Sequence, residues 1–350
     1  MQNKTYHEQM DIKNTVRLRE LLQELPSFCK TYFRGIEPST ASRTRIAYAI
    51  DLKVFFEFLS ANNPTLAGKP IKDIPLSVLS ELTAQDIEEY LEYLKIYTNA
   101  DGQTVTNNER GIKRKICSLR SMYNYLYRNQ FVSANPAIQV AVPKLHEKAI
   151  VRLDANETAD LLDCVEFGAV SSKRKQTYRE KNKTRNLALV TLLLGTGIRV
   201  SECVGLDIQD VDFNNDRIRV VRKGGSEAFV YFGEEVRTAL EDYLELRKRM
   251  TPVDGHENAL FLSSKMRRMS VRNIEILVKE YARESVALKK ITPHKLRSTY
   301  GTALYQETGD IYLVADVLGH KDVNTTRRHY AAQEEERRRK AKDMVHLRKD

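Results

Sequence analysis

Two arginines, two histidines and a tyrosine are the residues whose types and spacing point to chemistry, and a lysine stands beside a glycine turn, a place where a charged residue is ordinarily just solvated. Arg199 lies in Thr196-Gly-Ile-Arg199-Val-Ser-Glu202, Lys223 in Arg222-Lys223-Gly224-Gly225, and His294 and Arg297 in Thr292-Pro-His294-Lys-Leu-Arg297. His320 follows Leu318-Gly319, and Tyr330 ends Asn324-Thr-Thr-Arg-Arg-His-Tyr330. A phenol, with a pKa of about 10, is a poor nucleophile at neutral pH. It becomes useful where cations favour the phenolate and where the charge of its target is already neutralised. A phosphodiester demands that second service, because its non-bridging oxygens repel an incoming anion. Two planar, permanently charged guanidinium forks suit the task, and Arg199 and Arg297 are the candidates.

Local sequence signals say how these residues are presented. His294 and Arg297 are three apart and share a face of one helix, for which Thr292 is the expected N-cap and Pro293 the first residue. That places His294 in the opening turn, where free N–H groups and the helix dipole favour an anion. Asp310 is the expected cap of a helix over 311–318, and Gly319 its stop, so that His320 projects from the turn. An apolar helix over 186–194 delivers Arg199 through Gly195-Thr-Gly197. Short strands are expected at 211–213, 217–222 and 228–232, with Gly224-Gly225 making a hairpin turn beside Lys223.

Composition bounds the rest. With 350 residues, 41% hydrophobic and 30% charged, the chain is long enough for two soluble domains. It contains no run approaching the ~18 apolar residues of a membrane span. The first ten residues hold no apolar signal core, so the cytoplasm is the expected compartment. Cys29, Cys117, Cys164 and Cys203 are scattered, without metal-ligand or redox spacing, and read as buried thiols; no metal or other cofactor is expected. A net charge of +10 points to nucleic acid as the partner, and no basic amphipathic anchor points to a membrane.

The chain divides by pattern into a helical lead-in over 1–35, a helical domain over 36–136, a Pro-containing linker over 137–152 and a second domain over 153–350 with a tail helix. Thr83-Ala-Gln-Asp86 and Leu153-Asp154 are helix starts. A basic helix over 107–129 sets Arg110, Lys113, Arg114, Lys115 and Arg120 beside Ile112, Ile116, Leu119 and Met122. The run 171–185, including Lys173, Arg174 and Lys175, is nearly free of apolar residues and reads equally as an exposed insertion or as a loop tracking DNA. Arg267 and Arg268 look like further phosphate contacts.

The ordered set Arg199, Lys223, His294, Arg297, His320 and Tyr330, with Leu-Gly-Thr-Gly-Ile-Arg199, Pro-His294-Lys-Leu-Arg297 and Leu-Gly-His320 around it, resembles the signature of the tyrosine recombinases. This is the phage-integrase family, which includes the Xer proteins and Cre, and the wording is nearest to Xer-like and mobile-element integrases of bacteria. The resemblance implies a mostly α fold: a helical, SAM-like core-DNA-binding domain, then an α-rich catalytic domain with a small antiparallel three-stranded sheet. It implies that Tyr330 attacks the scissile phosphate to give a 3′-phosphotyrosine, that Arg199 and Arg297 clamp that phosphate, and that His294 assists proton transfer. It implies further that His320 donates a hydrogen bond to the phosphate, that Lys223 protonates the leaving 5′ oxygen, and that Glu202 orients Arg199. The partners it implies are double-stranded DNA and further copies of the chain, four on two sites, with room for an accessory protein and a place in the bacterial nucleoid.

The same resemblance favours laying the basic face of the 107–129 helix on DNA phosphates over leaving it merely solvated. It also makes the segment after Tyr330, with Met344, Val345 and Leu347, a candidate contact between protomers. The lead-in is too short and too helical to be the arm-binding module that many integrases carry. Two departures stand out. Ten positions separate His320 from Tyr330, one more than the commonest family spacing, and the usual Gly-Lys-Gly is here Arg222-Lys223-Gly224-Gly225, which leaves open whether Arg222 shares the role of Lys223. The rival functions are a DNA-relaxing enzyme of the type IB topoisomerase kind and a non-catalytic sequence-specific DNA-binding protein.

Overall fold

Capping and stop signals set several of the helix boundaries. In a computed structural model of the chain, residues 5–99, 101–144, 151–168, 172–222, 224–320 and 323 are described. Lys223, Tyr330 and the tail helix lie outside them. Contacts divide the chain into two compact units, residues 1–148 and 149–350.

The first unit opens with α1 (Tyr6–Leu21), where the Glu8 amide donates to Thr5 Oγ1 and the Glu8 carboxylate accepts from the Thr5 amide. Pro26 separates it from α2 (Ser27–Gly35), after which come α3 (Ser42–Asn62) and α4 (Ser77–Glu81). The expected reciprocal cap of Thr83 and Asp86 opens α5 (Ala84–Tyr93). A hairpin of β1 (Ile96–Thr98) and β2 (Thr104–Thr106) follows, then α6 (Glu109–Arg128), capped by Asn108. That hairpin corrects the expectation of an all-helical first domain. Asn99 nucleates its turn by accepting from the amides of Asp101 (3.1 Å) and Gln103 (2.8 Å). Aromatic rings fill the core between α3, α5 and the hairpin, with Phe55–Tyr90, Phe58–Tyr93 and Tyr93–Tyr97 centroids 5.0–5.1 Å apart.

The second unit begins with α7 (Ala155–Phe167), where Asp154 and Glu157 cap each other's amides. Its central element is α8 (Lys173–Thr196), which packs against α7 and against two later helices, over Glu234–Arg247 and Pro293–Thr308. The basic run at 173–185 is therefore the first half of a 24-residue helix and not a loop. Tertiary pairing outweighs its polar composition. Arg179 makes a two-pronged ion pair with Glu284, both contacts 2.7 Å, and lies over the Tyr281 ring. Buried Arg185 donates to Leu262 O and to Asn186 Oδ1.

After α8 come α9 (Val200–Gly205) and a three-stranded antiparallel sheet, β3 (Val211–Asp212), β4 (Arg217–Val221) and β5 (Glu227–Tyr231), in that spatial order. Ile218 and Val220 of β4 point into the core, as the alternation predicts. Then follow α10 (Glu234–Arg247), α11 (Val271–Ser285), α12 (Pro293–Thr308) and α13 (Ile311–Leu318). The chain is thus mostly helical with a small antiparallel sheet, and no helix among the described residues is long and apolar enough to cross a membrane.

The turn after α8 aims the chain at Arg199. Gly197 has φ of +62°, and a Cβ there would stand 2.4 Å from Tyr300 Cδ1 and 2.9 Å from Leu318 Cδ2. Gly197→Ala adds a left-handed penalty of about 1–2 kcal/mol to an overpacking cost of about 1–3 kcal/mol. A lower midpoint of urea unfolding in the full chain is the expected result.

Candidate active site

The site is built around the C-terminus of α13. Asp310 Oδ1 caps its start by accepting from the amides of Tyr312 (2.8 Å) and Leu313 (3.1 Å). Gly319, with φ of +63°, ends it. The Gly319 amide donates to Asp316 O and the His320 amide to Ala315 O, each 2.8 Å, the paired bonds of a Schellman turn. His320 is therefore fixed by its backbone at the mouth of the helix end. Val314 and Leu318 anchor the helix against Tyr305 of α12.

Three guanidinium groups converge on the last carbonyls of this helix. Arg297 is buried; its Nη1 donates to Gly197 O (2.7 Å) and its Nη2 to Leu318 O. Arg199 leads into α9, and its Nη2 donates to Gly319 O (3.2 Å). Arg222, at the end of β4, donates from Nη2 to Val317 O (3.1 Å) and from Nη1 to Asp316 O (3.4 Å). A helix C-terminus leaves its carbonyls unsatisfied and carries roughly half a negative charge, so it holds cations well. Carbonyl dipoles orient these cations without cancelling their charge.

Glu202 completes the support of Arg199. Buried at 4% side-chain exposure, it accepts from Arg199 Nη1 (2.7 Å) and from the Arg199 amide (2.8 Å). The Arg199 side chain remains 34% exposed, so a ligand can reach it. Pro293 opens α12 as expected, although the Thr292 side chain makes no capping bond. His294 is exposed in that first turn, one turn ahead of Arg297.

The structure therefore brings together Arg199, Glu202, Arg297 and the His320 backbone, and it adds the Arg222 side chain, whose contact with α13 no sequence pattern foretold. Gly319 gives one trace of it, since a Cβ there would stand 2.1 Å from Arg222 Nη1. Among the described residues no group of three or more His, Cys, Asp or Glu is placed to hold a metal ion. Cys29 and Cys203 are buried, burial pushing the Cys203 thiol up to about 12, whereas Cys117 is exposed and Cys164 half-buried, so the reading of four buried thiols fails for two.

The outlying basic candidates separate. In the first unit Arg110 is exposed and Lys113 half-buried. Lys115 is the correction: it is buried at 7% exposure, donates to Asn107 Oδ1 (2.8 Å), and burial pulls its ammonium below the ordinary lysine range. It cannot meet a phosphate from there. The position was readable, because Lys115 falls three residues after Ile112 and four before Leu119 on the core stripe. Arg114 pairs with buried Asp51 (2.5 Å) while its own side chain stays 48% exposed. Arg120 is taken up by Ala137 O and Val140 O.

In the second unit Lys173, Arg174, Lys175 and Arg267 are exposed. Arg268 is the second correction: it donates to Val204 O (2.9 Å) and Leu206 O (2.8 Å) and pairs with Asp207, so it braces the end of α9.

A mostly helical fold with a small antiparallel sheet carries, at the end of α13, three gathered guanidinium groups of which Arg199 stays accessible, a cluster suited to an anionic ligand. The description of the phage integrase family matches residues 152–337. The chain is 32% identical over 306 residues to tyrosine recombinase XerC of Caldanaerobacter subterraneus subsp. tengcongensis, covering 85% of this chain and 79% of that relative. It is 31% identical over 333 residues to tyrosine recombinase XerS of Streptococcus mutans serotype c, covering 89% and 93%. The fold matches that of the XerH site-specific recombinase bound to palindromic difH substrate, a post-cleavage complex, with TM-score 0.64 and 19% identity over 93% of this chain and 88% of that one. A lambda integrase dimer bound to a COC′ core site gives TM-score 0.59 at 15% identity, over 85% and 95%. The chain belongs to the phage integrase family, the tyrosine-type site-specific DNA recombinases.

The two neighbouring arginines should part company on substitution. Arg268→Ala removes a donor from Val204 O, from Leu206 O, which keeps the Leu260 amide, and from Asp207, and should cost about 1–3 kcal/mol; exposed Arg267→Ala should stay within about 0.5 kcal/mol of the parent chain. Chemical denaturation of the two variants side by side checks this.

Proposed function

We propose that the chain cuts and rejoins double-stranded DNA at specific sites, with Tyr330 as nucleophile. The phenol oxygen forms a bond to the scissile phosphorus, the bond from phosphorus to the 5′ oxygen breaks, and the product is a 3′-phosphotyrosine. The departing 5′ oxygen takes a proton from Lys223, and His294 accepts the proton that Tyr330 gives up. Arg199 and Arg297 hold the non-bridging oxygens as they gain charge, with His320 donating a further hydrogen bond. One diester replaces another, so the bond energy is kept until a 5′-hydroxyl of the partner strand attacks in the reverse sense; ATP has no step to drive.

The observation that carries this reading is the convergence of Arg199 and Arg297, from elements about a hundred residues apart, on the Leu318-Gly319 end of α13, directly before His320. Related proteins are named as tyrosine recombinases, and among proteins of the same fold XerH is a site-specific recombinase bound to palindromic difH substrate and lambda integrase a dimer bound to a COC′ core site. The net charge of +10 suits a DNA partner. Strand exchange between two sites requires four strands to be cut, and four copies of the chain on two sites is the assembly this reading takes, in the cytoplasm where the chromosome lies. Arg110, Lys113, Lys173, Arg174, Lys175 and Arg267 are the exposed or half-exposed cations we assign to backbone phosphates.

Nicked suicide duplexes carrying candidate sites from the DNA flanking the gene test the assignment. Wild type should form a covalent adduct on one duplex only, and Tyr330→Phe on none. Adducts on every duplex would favour a DNA-relaxing enzyme, and binding without trapping on any of them would favour a non-catalytic binder. On the duplex that traps, Arg199→Lys keeps a cation beside Glu202 but loses the fork, and adduct formation should slow by about 10²–10³-fold.

A further inference from the structure

We propose that Arg222 is a positioning residue for the proton donor Lys223: it locks the base of the β4–β5 turn onto the same end of α13 that holds Arg199 and Arg297 and presents His320. The assignment rests on the reading of Lys223 given above.

The backbone of Arg222 closes the turn. Its amide donates to Ser226 O (2.8 Å) and its carbonyl accepts from the Gly225 amide (3.0 Å), so Arg222 is the last paired residue before Lys223. Its side chain crosses from the sheet to α13, where it donates to Val317 O and Asp316 O. The guanidinium lies against Gly319, whose missing Cβ leaves the space it occupies. One residue thus bonds the turn through its backbone and the helix end through its side chain.

Two other roles fit this geometry poorly. A guanidinium keeps its charge and does not release a proton on the timescale of a departing alkoxide, so Arg222 does not substitute for Lys223. Nor does it read as a solvated surface charge, because it reaches carbonyls 94 and 95 positions away in the chain.

Lys223 needs such an anchor. It is followed by two glycines with φ of +99° and +85°, a backbone with little intrinsic stiffness, and its own stem is long and flexible. Adjacent Cα atoms are about 3.8 Å apart. Fixing Arg222 at α13 therefore holds the residue bonded directly to Lys223 at the phosphate cradle.

The test compares two forms of the duplex that traps: the natural one and one whose scissile 5′ oxygen is replaced by sulfur. A thiolate, conjugate to an acid of pKa about 8.5, leaves without a proton donor. Lys223→Ala should slow single-turnover adduct formation on the oxygen duplex by about 10²–10⁴-fold and recover on the sulfur duplex. Arg222→Ala should show the same pattern at smaller size, slowed about 10- to 100-fold on oxygen, the cost of misplacing a group by roughly 1 Å, and close to wild type on sulfur. Arg222→Lys, which still places a cation at the helix end, should recover part of the rate. If Arg222→Ala fails to fold, Arg222→Gln, which keeps an amide donor, takes its place.

Equal slowing of the Arg222 variant on both duplexes would overturn the assignment and make Arg222 a support of the phosphate cradle; so would full activity on oxygen. Equal slowing of Lys223→Ala on both duplexes would overturn the reading of Lys223, and with it this one. An absent wild-type adduct would do the same for Tyr330.

Discussion

The three arginines gathered in the second unit depend on how the last turn of α13 disposes of its carbonyl groups. A helix end must satisfy them or lose stability, and water, glycine turns and basic side chains are the usual means. Here the oxygens of Asp316, Val317, Leu318 and Gly319 receive guanidinium hydrogens from Arg222, Arg297 and Arg199. Gathering three like charges at one place is costly in itself, and the negative end of the dipole offsets that cost. The result is a concentration of positive charge whose remaining repulsion an arriving phosphate relieves.

The dependence runs in both directions. A helix of eight residues does not persist by propensity alone. Val314 and Leu318 pack against Tyr305, and the arginines hold its far end, so α13 and the cradle support each other. Gly197 and Gly319 share a purpose in this arrangement. Each turns the chain through a left-handed residue, each sits where a side chain would strike a neighbour, and each precedes a residue of the site by one or two positions. Glu202 adds a buried carboxylate that fixes Arg199 from behind while leaving part of the guanidinium accessible. Rigid elements supported from beneath are what a phosphoryl-transfer site needs, since a small displacement of the forks costs rate steeply.

Much of this was legible from residue order. Pro293 as the first residue of a helix, Asp154 and Asp310 as caps, Gly319 as a stop and the Thr83–Asp86 box each rest on a backbone group that only a few residue types can satisfy, and each appears in the structure. What escaped was decided by tertiary contacts. The run at 173–185 carries no apolar stripe over most of its length, yet Glu284 and Tyr281 hold Arg179 and thereby the helix. The β1–β2 hairpin has three-residue strands with no alternation long enough to register. Lys115 and Arg268 show that charge marks a residue as basic without saying which way it faces; helical phase would have settled the first, and only the fold reveals the second. Arg222 is of the same kind, since its partners lie on a helix that sequence places nearly a hundred residues away.

The central claim is that this cradle serves a covalent bond between DNA and Tyr330. Protease digestion of the trapped complex, nuclease trimming of its DNA and mass spectrometry of the remaining peptide read that bond directly. The account predicts a nucleotide attached through its 3′-phosphate to Tyr330 and stable to acid. An acid-labile adduct on the adjacent His329, or a nucleotide attached through its 5′-phosphate, would contradict it.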